Sequence, residues 1–346
     1  MTGGVRADKR SRTGNRRAAW LLVVLTPVIA ELALGSTPIS YGFLVLLWIP
    51  VYGALALLIR ELVTRTGRGW PSLILLGVGY ELLEDGIGLQ ALTSPHLYGA
   101  AEWGARILGF NLPYWIANAI YHVIFTVAIP ITAVNLIFPG HRRRPYLRRG
   151  GVVITAVVGG LGVLILRVTV PLSQDPGYQA PLPFVIAILA IVGLLGLVAL
   201  RILPQTRVQR REDIAVPGIR TLYPMAGLAI MIVMFLTFPG PGAGQPAYTR
   251  GLVVLVPLVV AVCGVIAGYL VLARLSRSSA WTDRHTLAVA GGASVGHTIV
   301  GAVAIAAERV DRVGLLVIAL LTVVGISWLD RRIVRSSTGT QSLDRR

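Results

Sequence analysis

Ten apolar stretches, at 18–34, 40–62, 71–91, 113–138, 151–171, 183–203, 221–239, 251–275, 286–306 and 313–329, follow one another along 346 residues. A helix needs about 20 such residues to cross the hydrocarbon of a bilayer. Neighbouring helices and waters satisfy the backbone groups that internal Gly and Pro set free. The expected fold is therefore an all-α, polytopic transmembrane helix bundle of about ten spans. Composition agrees: 14% of residues are charged, against about 25% in a soluble domain, so most of the surface faces lipid.

Lys and Arg accumulate on the cytoplasmic side of a membrane protein. With the N-terminus inside, Arg106, Arg250, Arg309 and Arg312 are the basic residues left outside, Arg167 lies within a span, and the rest of the 32 fall on the cytoplasmic face. Both termini are thus expected in the cytoplasm, in the cell membrane. The formal charge of +17 sits in short clusters between apolar runs. This is topology charge, and a nucleic-acid partner is not expected. Arg6, Lys9, Arg10, Arg12, Arg16 and Arg17 precede the first run as in a signal peptide, but no small-x-small site closes that run, so it reads as an uncleaved helix. The expected organisation is a basic tail at 1–17, spans one to four at 18–139, spans five to ten at 140–330, and a basic, Ser-rich, disordered tail at 331–346. Cys263 stands alone in an apolar run, which excludes disulfides and thiolate zinc and suggests a small buried residue.

Polar residues within the spans concentrate in the first half: Glu31, Glu81, Glu84, Asp85 and His122, with Glu61 at a span's cytoplasmic end. Each charge in hydrocarbon costs about 2.5–3.5 kcal/mol on the mildest scale, so the concentration needs a reason. At 1.5 Å rise per residue, Glu31 and Glu84 both lie about 20 Å from the inner ends of their helices, and His122 lies about 13 Å from an outer end. Three helices deliver polar groups to nearly one level. Glu81, Glu84 and Asp85 share a helical face at i, i+3 and i+4. Three carboxyls so close in a low dielectric cannot all ionise, and one held neutral is a usable general acid. Glu84, Asp85, His122, Glu31 and Glu61 are the candidate catalytic residues. Glu61 has a structural alternative, a snorkelling pair with Arg60.

Tyr80, Trp103, Tyr114, Trp115, Tyr121 and Phe125 cluster on the same helices, as cation-stabilising rings, interface anchors or packing. In the second half, Arg167 is expected to neutralise a carboxylate of the cluster, and His297 to be a packed polar residue. The carboxylates and one His could hold a divalent ion, but no HExxH, Asp-rich metal motif, GxSxG elbow or Walker loop is present, so neither metal nor cofactor is expected.

Pro27-Val-Ile-Ala-Glu31, Ile59-Arg-Glu61-Leu, Gly69-Trp-Pro71, Tyr80-Glu-Leu-Leu-Glu84-Asp85-Gly86, and Tyr121-His122 followed by Ala128-Ile-Pro130 resemble a large bacterial family of membrane proteins, mostly of unknown function. What looks like the same group includes integral-membrane terpene cyclases of actinobacterial meroterpenoid pathways. The resemblance implies that the acidic residues and His122 occupy the family's polar positions, that the substrate is a lipophilic prenylated small molecule, and that a prenyltransferase of the same pathway is a partner. The CAAX-protease superfamily is also similar in having a Glu pair and two His motifs, but Leu89, Asn118 and Gly301 depart from its Arg, Phe and Asn/Asp positions. The expected function is a membrane terpene cyclase that begins by protonating its substrate. A proton-coupled transporter and a CAAX-protease-like intramembrane metalloprotease are the alternatives.

Overall fold

The computed structural model describes residues 16–97, 105–206, 212–238 and 251–343. Ten helices run through these residues: α1 (16–32), α2 (Ile39–Arg65), α3 (70–88), α4 (Leu112–Ile137), α5 (Arg149–Gln174), α6 (Leu182–Ile202), α7 (Ile219–Thr237), α8 (Gly251–Leu275), α9 (Asp283–Ile305) and α10 (Arg309–Leu343). All except α1 and α3 are long and apolar enough to cross a membrane. α1 is short within the described residues, and α3 carries three carboxyl side chains. The helix positions follow the apolar runs closely. At the C-terminus α10 continues as helix past the expected boundary at 330. The only strands among the described residues are β1 (Arg106–Ile107) and β2 (Phe110–Asn111), a short antiparallel hairpin ahead of α4.

The main core joins α1–α4 to the inner faces of α5 and α6, with Leu22, Val51, Tyr52, Leu55, Val127 and Leu166 among its buried side chains. Small residues allow the closest crossings. Gly53 of α2 lies against the backbone of Val23, and Gly162 of α5 lies against the backbone at Pro50 and Val51. A side chain at either position would separate those helices.

The second half is not a uniform lipid-facing wall. In α9 61% of the most apolar window is buried, against 11% in α6, α7 and α10, so α9 is an interior helix. Gly292 and Gly296 press against the α7 backbone at Tyr223 and Gly227, and Gly301 presses against Leu34 just after α1. This face brings His297 into the bundle. Cys263 of α8 is exposed rather than buried. Its neighbours there are apolar, as a lipid-facing surface requires.

Candidate active site

Besides the ends of α6 (Val198–Ile202) and α9 (Gly301–Ile305), π-helical segments occur in each of the helices α1–α4. The latter are Val28–Leu32 in α1, Ile49–Ala54 in α2, Leu82–Gly88 in α3 and His122–Ala128 in α4. They hold Glu31, Tyr52, Glu84 with Asp85, and His122, respectively. A π turn inserts an extra residue into the helical ladder and re-aims the side chains around it, and such bulges concentrate at functional sites. Pro27, Pro50 and Pro130 lie within or beside these segments, and each removes an N–H donor from the α pattern.

The four segments converge. Glu84 Oε1 accepts from the Tyr52 hydroxyl at 3.2 Å. His122 Nε2 lies 3.2 Å from Glu84 Oε2 and 4.0 Å from Asp85 Oδ2. On the far side of its ring, His122 Nδ1 is 2.9 Å from Thr126 Oγ1. The Tyr114 hydroxyl approaches Asp85 Oδ1 at 3.5 Å. Glu31 interacts with Tyr52 and Glu84, and its Oε2 accepts from Ser36 Oγ and Thr37 Oγ1, each at 2.9 Å. Thr37 in turn accepts from Trp48 Nε1 at 3.0 Å. A polar chain thus crosses the interior from the α1–α2 turn to α4.

Aromatic rings enclose His122. Tyr52, Tyr80 and Tyr121 have ring centroids 5.9, 5.4 and 5.3 Å from the imidazole. α3 runs on into a turn at 89–97 that is mostly buried apart from Pro95 and His96 and is held by side-chain bonds to later segments. Ala180 N donates to Gln90 Oε1, and Ser94 Oγ donates to Asp175 Oδ2, both at 2.6 Å. Arg106 of the hairpin donates to the Ser94 carbonyl at 2.9 Å.

The cluster is under-satisfied. Both oxygens of Glu81, Glu84 Oε2, Asp85 Oδ2 and the Tyr80 hydroxyl complete no hydrogen bond among the described residues. No Lys or Arg pairs with these three carboxyls there either, and the one basic partner of Glu84 and Asp85 there is His122, which pairs as a cation only when protonated. Buried charge without pairing is costly, so protons or a cation must compensate it. Glu84, Asp85 and His122 each present a ligand atom, all within 4.8 Å of one another. Sequence motifs could not show this set, because two neighbours on α3 meet a His on another helix.

Glu31, Glu84 and His122 are therefore brought together as expected from their depth, with Asp85 beside Glu84. Glu61 is not. It lies nine residues along α2 from Tyr52, roughly 13 Å away at helical rise. Its carboxylate accepts from Arg60 at 2.9 Å, Arg65 at 3.3 Å, Tyr146 N at 2.6 Å and Leu147 N at 3.2 Å. The Arg60 guanidinium lies 3.3 Å over the Tyr146 ring. Glu61 is a clasp that ties α2 to the turn before α5. Arg167 also departs from expectation, since it donates to the Ile87 carbonyl at 2.9 Å and to Gln179 Oε1 at 3.0 Å instead of a carboxylate. Glu81, on the same face as Glu84 and Asp85 but not among the candidates, is fully buried beside Asp85 and Trp115. Its lack of complete partners, invisible in sequence, makes it a functional candidate. Trp103 lies outside the described residues. No curated protein and no solved structure matches the chain. Residues 20–331 match the model of an uncharacterized membrane protein family, and the chain belongs to that family.

Proposed function

We propose that this protein is an integral-membrane terpene cyclase, with ten spans and both termini in the cytoplasm, acting on a prenylated substrate that enters from the lipid. The observation that supports this reading best is the group of three buried carboxyls with free oxygens among tyrosine rings. A carboxylic acid of the group transfers its proton to the terminal alkene or epoxide of the prenyl chain. The new C–H or O–H bond leaves a carbocation, which the internal alkenes attack in turn. The electron-rich faces of Tyr52, Tyr80 and Tyr121 stabilise the moving charge. A final C–H bond returns its electrons to the ring system as a carboxylate or imidazole takes the proton, and return of that proton to the donor carboxylate restores both groups. A low-dielectric interior excludes the water that would quench the cation.

The protease alternative needs both His side chains free to act on one water, yet His297 Nε2 is engaged by the Tyr121 hydroxyl at 3.0 Å. The transporter alternative is distinguished by assay. Membranes containing the protein are given a farnesylated aromatic substrate, and cyclised product is measured. Amide variants E81Q, E84Q and D85N keep side-chain volume but remove the transferable proton. The variant lacking the donor loses at least about a hundredfold in turnover, the lower end of a general acid's contribution. Undiminished cyclisation in all three would overturn the proposal.

A further inference from the structure

The geometry points to a divalent-cation site formed by Glu84, Asp85 and His122, fitted to a first-row ion of the zinc or manganese class. Metal–ligand bonds of about 2.0–2.2 Å put adjacent ligand atoms about 3.0–3.5 Å apart and opposed ones near 4.2 Å. From His122 Nε2, the 3.2 Å to Glu84 Oε2 matches adjacent ligands and the 4.0 Å to Asp85 Oδ2 is close to the opposed separation. The 3.2 Å approach of Glu84 Oε2 to the imidazole is an ion pair only when His122 is protonated, and Glu84 Oε2 has no other partner among the described residues. The two atoms stand side by side, as neighbours in one coordination shell do.

Three further features fit. Thr126 Oγ1 holds Nδ1 at 2.9 Å, the outer-shell hydrogen bond that orients a metal-binding imidazole and leaves Nε2 free to coordinate. Glu84 and Asp85 are each 1% exposed, and the free oxygen of each faces the same ring nitrogen. Two carboxylates and a dication sum to zero charge, which removes the main cost of burying this cluster. One imidazole, two carboxylates and no thiolate suit zinc, manganese or ferrous iron, and the imidazole disfavours calcium and magnesium. Glu81 lies outside the ligand set. If the cyclase reading also holds, Glu81 is the carboxyl left to give the proton.

The experiment reads metal without substrate, so its outcome is separate from that of the cyclase assay. The full-length chain is purified in detergent, stripped with chelator, incubated with ZnCl₂ or MnCl₂ and desalted, and bound metal is measured by mass spectrometry. About one ion per chain is expected for the wild type, and the manganese form should show nitrogen coupling from one imidazole in pulsed electron paramagnetic resonance. E84Q, D85N and H122Q should each lose most of the ion, at least tenfold in occupancy, whereas E81Q and E61Q should keep it. The nitrogen coupling tests the site in the wild type even where a variant fails to fold. No retained ion in the wild type, an ion without nitrogen coupling, or occupancy unchanged in all three ligand variants would each overturn the site.

Discussion

The Tyr121 hydroxyl lies 3.0 Å from His297 Nε2 and also donates to the Ala30 carbonyl, so one side chain of α4 ties α9 to α1. The His297 ring stacks on Phe125 with centroids 4.0 Å apart. Tyr121 in turn presents its ring to His122, the two planes at 83°. His297 is thus a support for the wall of the candidate site, beyond the simple packing expected of it.

Replacing His297 with Ala should therefore not be silent. Loss of the stacked ring leaves a cavity beside Phe125, costing at least about 2 kcal/mol, the lower end for large-to-Ala changes in a core. Tyr121→Phe, which removes only the hydroxyl, should cost about 0.5–2 kcal/mol, as interhelical hydrogen bonds in membranes do. Unfolding in detergent measures both. A His297→Ala protein as stable as the wild type would show that the contact is incidental.

The α7–α9 crossing should tolerate no side chain at Gly292 or Gly296. A Cβ at either would meet the opposing backbone, so Ala or Val there should lower the melting temperature and the monodisperse fraction on size-exclusion chromatography. Gly264 and Gly268 of α8 have nothing within 4 Å of a Cβ, and Ala there should stay within about 0.5 kcal/mol of the wild type. Equal tolerance at both pairs would contradict the packing.

Glu61→Gln should act on stability more than on chemistry. It breaks a buried ionic group with four donors, and such a loss typically costs about 3–5 kcal/mol. The turn at 139–148 should become more sensitive to protease. Turnover per folded molecule should stay near that of the wild type. A variant of normal stability with abolished turnover would return Glu61 to the catalytic set.

Topology is testable without any substrate. A cytoplasm-only reporter fused after Arg346 should give signal, and the same reporter inserted within 240–250 should not. The reverse pattern would invert the orientation and the depths assigned to the carboxyl groups.

Much of the fold was legible in the sequence because the bilayer imposes a one-dimensional rule. An apolar run of fixed length becomes a helix, and a polar residue's count from the run's end becomes a depth. That reasoning placed Glu31, Glu84 and His122 at one level, and the structure brings them together. Depth along a helix says nothing about direction around it. The π segments, which place Glu84 and Asp85 beside one imidazole, depend on how each helical ladder yields to its neighbours and its prolines. Tertiary packing likewise decided that Glu61 takes backbone donors from the turn before α5, that Arg167 pairs with neutral groups, and that α9 lies inside the bundle. Those outcomes depend on partners distant in sequence: Tyr146 is 85 residues from Glu61, and His297 is 176 from Tyr121. Hydrophobic length is a local property that each segment carries alone, whereas a side chain's partner exists only once two helices have packed.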